Sequence, residues 1–81
     1  MDITAAQATK AAADYYKSLS EEMVQLSVEE IEKDNTENVW LITLGIAEMT
    51  YAINKPKNKE YKIFKVEVET GEVISMKIRT I

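Results

Sequence analysis

The chain changes character near residue 20, and that change constrains the fold more than any other feature. Six of the eight alanines lie between Ala5 and Ala13, whereas Val and Ile, apart from Ile3, begin only at Val24. Alanine loses no side-chain entropy in a helix, while β-branched residues are stiff there and pack well on a pleated surface. The 81 residues are therefore predicted as one α+β domain, 1–81, with a single N-terminal helix followed by strands. Hydrophobic content of 46% beside 30% charged residues suits a folded globular chain.

The helix start is written in its first residues. Thr4 with Gln7 three positions later forms a capping box, and Ile3 before it is placed to pack back on the first turn. Ala5, Ala8, Ala12, Tyr15, Tyr16 and Leu19 fall on one stripe, opposite Gln7, Lys10, Asp14 and Lys17. The Ser18–Glu22 segment closes the helix.

Strand one is predicted over Met23–Lys33. Val24, Leu26 and Val28 alternate and Ile31 breaks the phase, so a bulge is expected at Glu29–Glu30. Asp34–Asn38 is a turn. Strand two shows alternation at Trp40, Ile42 and Leu44, then resumes out of phase at Ala47, Met49, Tyr51 and Ile53, with Gly45 as the expected bend. Fifteen extended residues would span about 50 Å, while a compact chain of this size is about 30 Å across. Strand two must bend or protrude, and a curved sheet around the helix is expected. Asn54–Glu60 is read as a loop broken by Pro56. Strand three, Tyr61–Glu69, carries Phe64, Val66 and Val68 on one face, and Glu69–Glu72 is a tight turn with Gly71 at positive φ. Strand four, Val73–Thr80, places Ile74, Met76 and Ile78 inward. Short connections make the four strands antiparallel neighbours, in the order α-β-β-β-β.

These features resemble PepSY-type domains, which occur in propeptides of thermolysin-type peptidases and in bacterial secreted or membrane-associated proteins. The resemblance rests on Ile3-Thr4-Ala5-Ala6-Gln7-Ala8 opening the helix, Trp40-Leu41-Ile42 in a middle strand, and the hairpin Tyr61-Lys62-Ile63-Phe64-Lys65-Val66-Glu67-Val68-Glu69-Thr70-Gly71-Glu72-Val73. It implies peptidase inhibition or ligand binding, no catalytic residues, and a bacterial extracytoplasmic setting. A helix on a four-stranded sheet also resembles the cystatin arrangement. The inhibitor motif Gln-x-Val-x-Gly of that family is not met, since Gln25-Leu26-Ser27-Val28-Glu29 has the wrong spacing and no Gly.

The absences weigh against catalysis. With no Cys there is no thiolate nucleophile, disulfide or Cys-ligated metal, and with no His the commonest general base near pH 7 is missing. No catalytic, cofactor-binding or metal site is predicted. Glu29, Glu30, Glu32 and Asp34 lack the spacing of a calcium loop. A net charge of −4 argues against nucleic-acid binding. Neither a signal peptide nor an apolar run of the ~20 residues that span a bilayer is present, so any membrane association is expected through segments outside this chain.

Two surfaces stand out instead. If Trp40, Ile42, Phe64 and Val66 face the helix, then Val39, Leu41, Tyr61 and Ile63 form an apolar patch on the outer face, the expected interface for a partner or a second copy. Lys55, Lys57, Lys59 and Lys62 form a basic loop suited to an anionic partner. The two hairpin turns share one end of the sheet and gather Glu29, Glu30, Glu32, Asp34, Glu37, Glu67, Glu69 and Glu72, whereas Lys77 and Arg79 join the basic end. The reading is a non-enzymatic protein- or peptide-binding module that regulates a peptidase or self-associates as a homodimer. The alternative is a small-ligand or cation-binding domain using the helix–sheet crevice or the acidic turn end.

Overall fold

The computed structural model describes residues 2–20, 23–49 and 56–80. One helix, α1 (Ala5–Leu19), precedes four strands: β1 (Val24–Asp34), β2 (Val39–Met49), β3 (Pro56–Glu67) and β4 (Val73–Ile78). The strands form one antiparallel meander in the order β1-β2-β3-β4, with α1 on one face. The fold is the α+β arrangement expected from the sequence.

The helix begins as its sequence dictates. The Thr4 hydroxyl accepts from the Gln7 amide at 3.1 Å and the Gln7 side chain accepts from the Thr4 amide at 2.8 Å, so the box satisfies two otherwise orphaned donors. Ala8 and Ala12 are wholly buried and let the helix backbone approach Ile42, Leu44, Ile46, Phe64 and Val66. Tyr16 packs beside them, while Tyr15 meets Phe64 edge-on at 6.5 Å. The stripe ends sooner than expected, because Leu19 is exposed.

The turns anchor the opposite end of the sheet. Asp34 Oδ1 accepts from the amides of Thr36 and Glu37, a side-chain-stabilised turn, and Asn38 completes it at φ 55°. Gly71 sits at φ 76°, where a Cβ would meet only ordinary contacts, so backbone conformation is what requires glycine there. The two turns touch, since the Val68 amide donates to the Asn38 carbonyl at 3.2 Å. The helix entry is tied to them by Ile3 N–H donating to the Val68 carbonyl at 2.8 Å and Trp40 Nε1–H donating to the Ile3 carbonyl at 3.2 Å.

Four expectations need correction or qualification. The bulge in β1 falls between Val28 and Glu30 as expected, but a second irregularity lies opposite Lys65 and Val66, where Val73 takes the place expected of Ile74. Ile74 is consequently half exposed. The predicted loop is shorter than Asn54–Glu60: Pro56 pairs with Met49, Lys59 with Ala47 and Glu60 with Ile46. Proline, lacking a ladder N–H, is tolerated as the first residue of a strand. Gly45 does not interrupt β2 but pairs in register with both Ser27 and Tyr61. The long strands protrude instead, giving principal extents of 45 × 24 × 17 Å. Tyr51, Ile53 and Lys55 lie outside the described residues.

Candidate functional site

Alternation sorts the sheet into two faces. Trp40, Ile42, Leu44 and Ile46 face α1, which puts Val39, Leu41, Thr43, Gly45 and Ala47 on the outer face of β2. Among the described residues no second layer of structure covers that face, yet Val39 and Thr43 are each only 1% exposed. Side chains from the neighbouring strands cover it.

Three ion pairs do so. Lys65 on β3 binds both carboxylate oxygens of Glu37 at 2.9 and 3.0 Å, and a side chain running from the Leu41 row to that turn passes Val39. Arg79, just beyond β4, donates to Glu30 on β1 and to the Thr43 hydroxyl on β2. Lys59 on β3 meets Glu29 at 2.9 Å above Gly45, with the Ser27 hydroxyl donating to the same carboxylate oxygen. A Cβ on Gly45 would lie 2.6 Å from Lys59 Cε and 2.7 Å from both Glu29 Oε2 and Ser27 Oγ. Glycine is needed here for space, because its missing side chain makes room for the ion pair.

The Arg79–Glu30 pair also crosses the sheet. In a flat sheet β1 and β4 would be about 14 Å apart, a long span for two side chains that must also rise off the face. Both side chains therefore lie extended across the outer face, bridging β4 to β1 over β2 and β3. Glu29, Glu30, Thr43, Arg79 and Thr80 line a groove here, whose volume is about 280 Å³.

Titration follows the contacts. The Ser27 hydroxyl and the Lys59 ammonium hold the Glu29 carboxyl below its usual value, and Glu29 raises Lys59 in return. On the exposed face of α1 the hydrogen bond from Lys10 at 2.7 Å lowers Asp14.

The apolar patch expected on the outer face is thus largely closed. Val39 is buried, and Leu41, Tyr61 and Ile63 are half-buried, with the Lys59 ammonium 5.5 Å above the Tyr61 ring. Of the expected basic loop, the described side chains of Lys59 and Lys62 part to opposite faces of the sheet. Lys57 and Lys59 belong to β3, and Lys59 is paired with Glu29 on the outer face. Lys62 pairs in register with Leu44 and Ile78 on the opposite face, as the period of two demands. The acidic end is likewise divided: Glu29 and Glu30 sit mid-sheet with basic partners, and Asp34, Glu37 and Glu67 accept from Thr36, Lys65 and Thr70 respectively. Among the described residues no three acidic side chains converge on a metal-sized site.

Exposed apolar surface appears elsewhere. One helix is about 10 Å wide, while four strands are about 14 Å across between outer backbones. Helix-side residues of both edge strands are left uncovered: Val28 and Ile31 on β1, and Ile78 on β4, which is 78% exposed. Ile74, displaced by its bulge, adds to the β4 edge. Alternation alone groups Val28 with Val24 and Leu26 and turns Ile78 inward. The signal that separates them is the width of one helix against four strands.

No protein-family model, curated protein or solved structure matches the chain. Among the described residues no helix is long and apolar enough to cross a membrane.

Proposed function

We propose that the chain is a non-enzymatic protein-binding module of PepSY type, which docks partners along its apolar sheet edges. The observation that carries this reading is the contrast between the two faces. The outer face is covered by ion pairs from its own strands, whereas Val28, Ile31, Ile74 and Ile78 stand exposed beside unpaired backbone edges. An edge strand with exposed apolar side chains is suited to adding a strand from another chain, the main chain supplying hydrogen bonds and alternate side chains the selectivity. The capped helix, the glycine hairpin and the order α-β-β-β-β are the features on which the PepSY resemblance rests, and that resemblance implies peptidase regulation as a role and an extracytoplasmic setting.

The rival reading, a small-ligand or cation site, has less support. Ala8, Ala12, Leu44 and Phe64 fill the helix–sheet crevice, and at the turn end Asp34, Glu37 and Glu67 are each engaged by a different partner.

A photo-crosslinking residue at position 31, compared with one at position 41, tests the proposal. Partner adducts at 31 that vanish in Val28→Lys support it. Adducts at 41 alone, or saturable binding of calcium or a small molecule without protein adducts, refute it.

A further inference from the structure

We propose that one partner of this module is a second copy of the same chain, seated with its β1 edge along the β4 edge of the first. The inference rests on the edge-docking reading above and deepens it by naming the occupant. Its basis is that the two free edges match each other row by row.

The sheet has an even number of strands in antiparallel order, so β4 and β1 run in opposite directions. A second copy in the same orientation therefore presents an antiparallel β1 to β4, with both helices on the same side. Each row of the existing sheet then extends into the next molecule. Ile78 is level with Lys62, Leu44 and Val28. Met76 is level with Phe64, Ile42 and Ile31. On the helix side, continuing the rows sets Ile78 beside the Val28 position of the neighbour and the part-buried Met76 beside its Ile31 position, so the exposed Ile78, Val28 and Ile31 are covered. On the outer side, Lys77 shares a row with Glu30, and Ser75 with Glu32. Continuing those rows places the Lys77 ammonium beside the neighbour's Arg79–Glu30 pair and the Ser75 hydroxyl against the Glu32 carboxylate.

The charges also choose this pairing over its symmetric rivals. On the β1 edge Glu29 and Glu30 are engaged by Lys59 and Arg79 of the same chain, which leaves Glu32 and Asp34 beside one Lys33, so two β1 edges together would still oppose like charges. The β4 edge carries Lys77 and no acidic residue between Val73 and Ile78, Arg79 just beyond it being turned across the face to Glu30. Like charges directly opposite in a sheet destabilise, while opposite ones stabilise. Unlike edges therefore attract and like edges repel. Such a contact uses two different surfaces of each molecule, so it propagates into a filament or closes as a ring rather than stopping at a symmetric dimer.

Sedimentation velocity on the full chain tests this with two variants, each blocked at one edge. Val28→Glu with Ile31→Glu spoils β1, and Lys77→Glu with Ile78→Glu spoils β4; all four side chains are solvent-accessible, so the core is untouched. The wild type is expected to grow in mass with concentration, each variant alone to associate at least tenfold more weakly, and an equimolar mixture to give a two-chain species. A strictly monomeric wild type overturns self-pairing but leaves the edge-docking reading to the crosslinking result. A variant that dimerises alone as well as the wild type also overturns it, because only a symmetric contact allows that. Should either variant fail to fold, amide exchange of the wild type decides: concentration-dependent protection in both β1 and β4 supports the pairing, and protection in one or neither refutes it.

Discussion

Gly45→Ala probes the outer face directly. Gly45 lies in the middle of β2, and its backbone lies outside the left-handed region that would exclude alanine. In an ordinary strand interior, replacing glycine by alanine stabilises by roughly 0.5–1 kcal/mol, because glycine loses more backbone entropy on folding. Here the new methyl would sit within 2.7 Å of Lys59 Cε, Glu29 Oε2 and Ser27 Oγ. Crowding of that kind costs about 1–3 kcal/mol when neighbours must shift. The net expectation is a loss of about 1 kcal/mol, which lowers Tm by about 4–8 °C in a domain this small. The sign should reverse once the strap is released. In a Lys59→Ala background one crowding atom is gone and Glu29 is free to turn outward, so Gly45→Ala should stabilise by about 0.5–1 kcal/mol. Urea denaturation of the four proteins yields a coupling energy of about 1.5–2 kcal/mol, within the range for residues in contact. If Gly45→Ala stabilises equally in both backgrounds, glycine is not held there by the ion pair and the reasoning fails.

Other perturbations separate the layers of the account. Phe64→Ala empties the centre of the core, where Phe64 is fully buried, and should cost about 3–5 kcal/mol by chemical denaturation. Asn38→Ala forces a Cβ-bearing residue without asparagine's local hydrogen bonding into φ 55° and should cost about 1 kcal/mol, whereas Asn38→Gly should be neutral within a few tenths. The pH dependence follows from the signs of the shifts. Asp14 and Glu29 are lowered in the folded state, so their contributions are full above their unfolded values near 3.8 and 4.5 and are lost as pH falls through the folded ones. Lys59 is raised, so its contribution is full below 10.5 and is lost as pH rises through its folded value. Thermal midpoints should therefore be flat between about pH 5 and pH 10, and Glu29→Gln should reduce the fall on both sides.

Local signals in the sequence reached the fold but not the surface. The capping box, the β1 bulge and the Gly71 turn each depend on residues within four positions of one another, and each stands where the sequence puts it. Strand order follows from connection length alone. The cover of the outer face is not legible in the sequence, because alternation tells which side a residue faces but not what covers it. Val39 is buried by a lysine from β3 pairing with the β1–β2 turn, 28 residues distant in sequence. Arg79 reaches Glu30 across 49 residues, and no local pattern marks that contact. Gly45 looked like a bend because strand glycines weaken pairing, yet it serves as a seat for side chains from β1 and β3. The exposed edges were closer to legible. A helix of 15 residues is about 22 Å long, and β2, with 11 residues, is about 36 Å long, so one helix leaves apolar positions on the outer strands uncovered.

The central claim is that this sheet hides its outer face under its own ion pairs and exposes its helix-side edges. Methyl NMR with a soluble paramagnetic agent, at dilutions where the chain is monomeric, tests it residue by residue. The account predicts that the methyls of Val39 and Thr43 are as protected as those of Ile42 and Val66, while those of Val28, Ile31, Ile74 and Ile78 lose most of their intensity. Attenuation of Val39 and Thr43 to the level of Val28, with Ile78 protected, would contradict it.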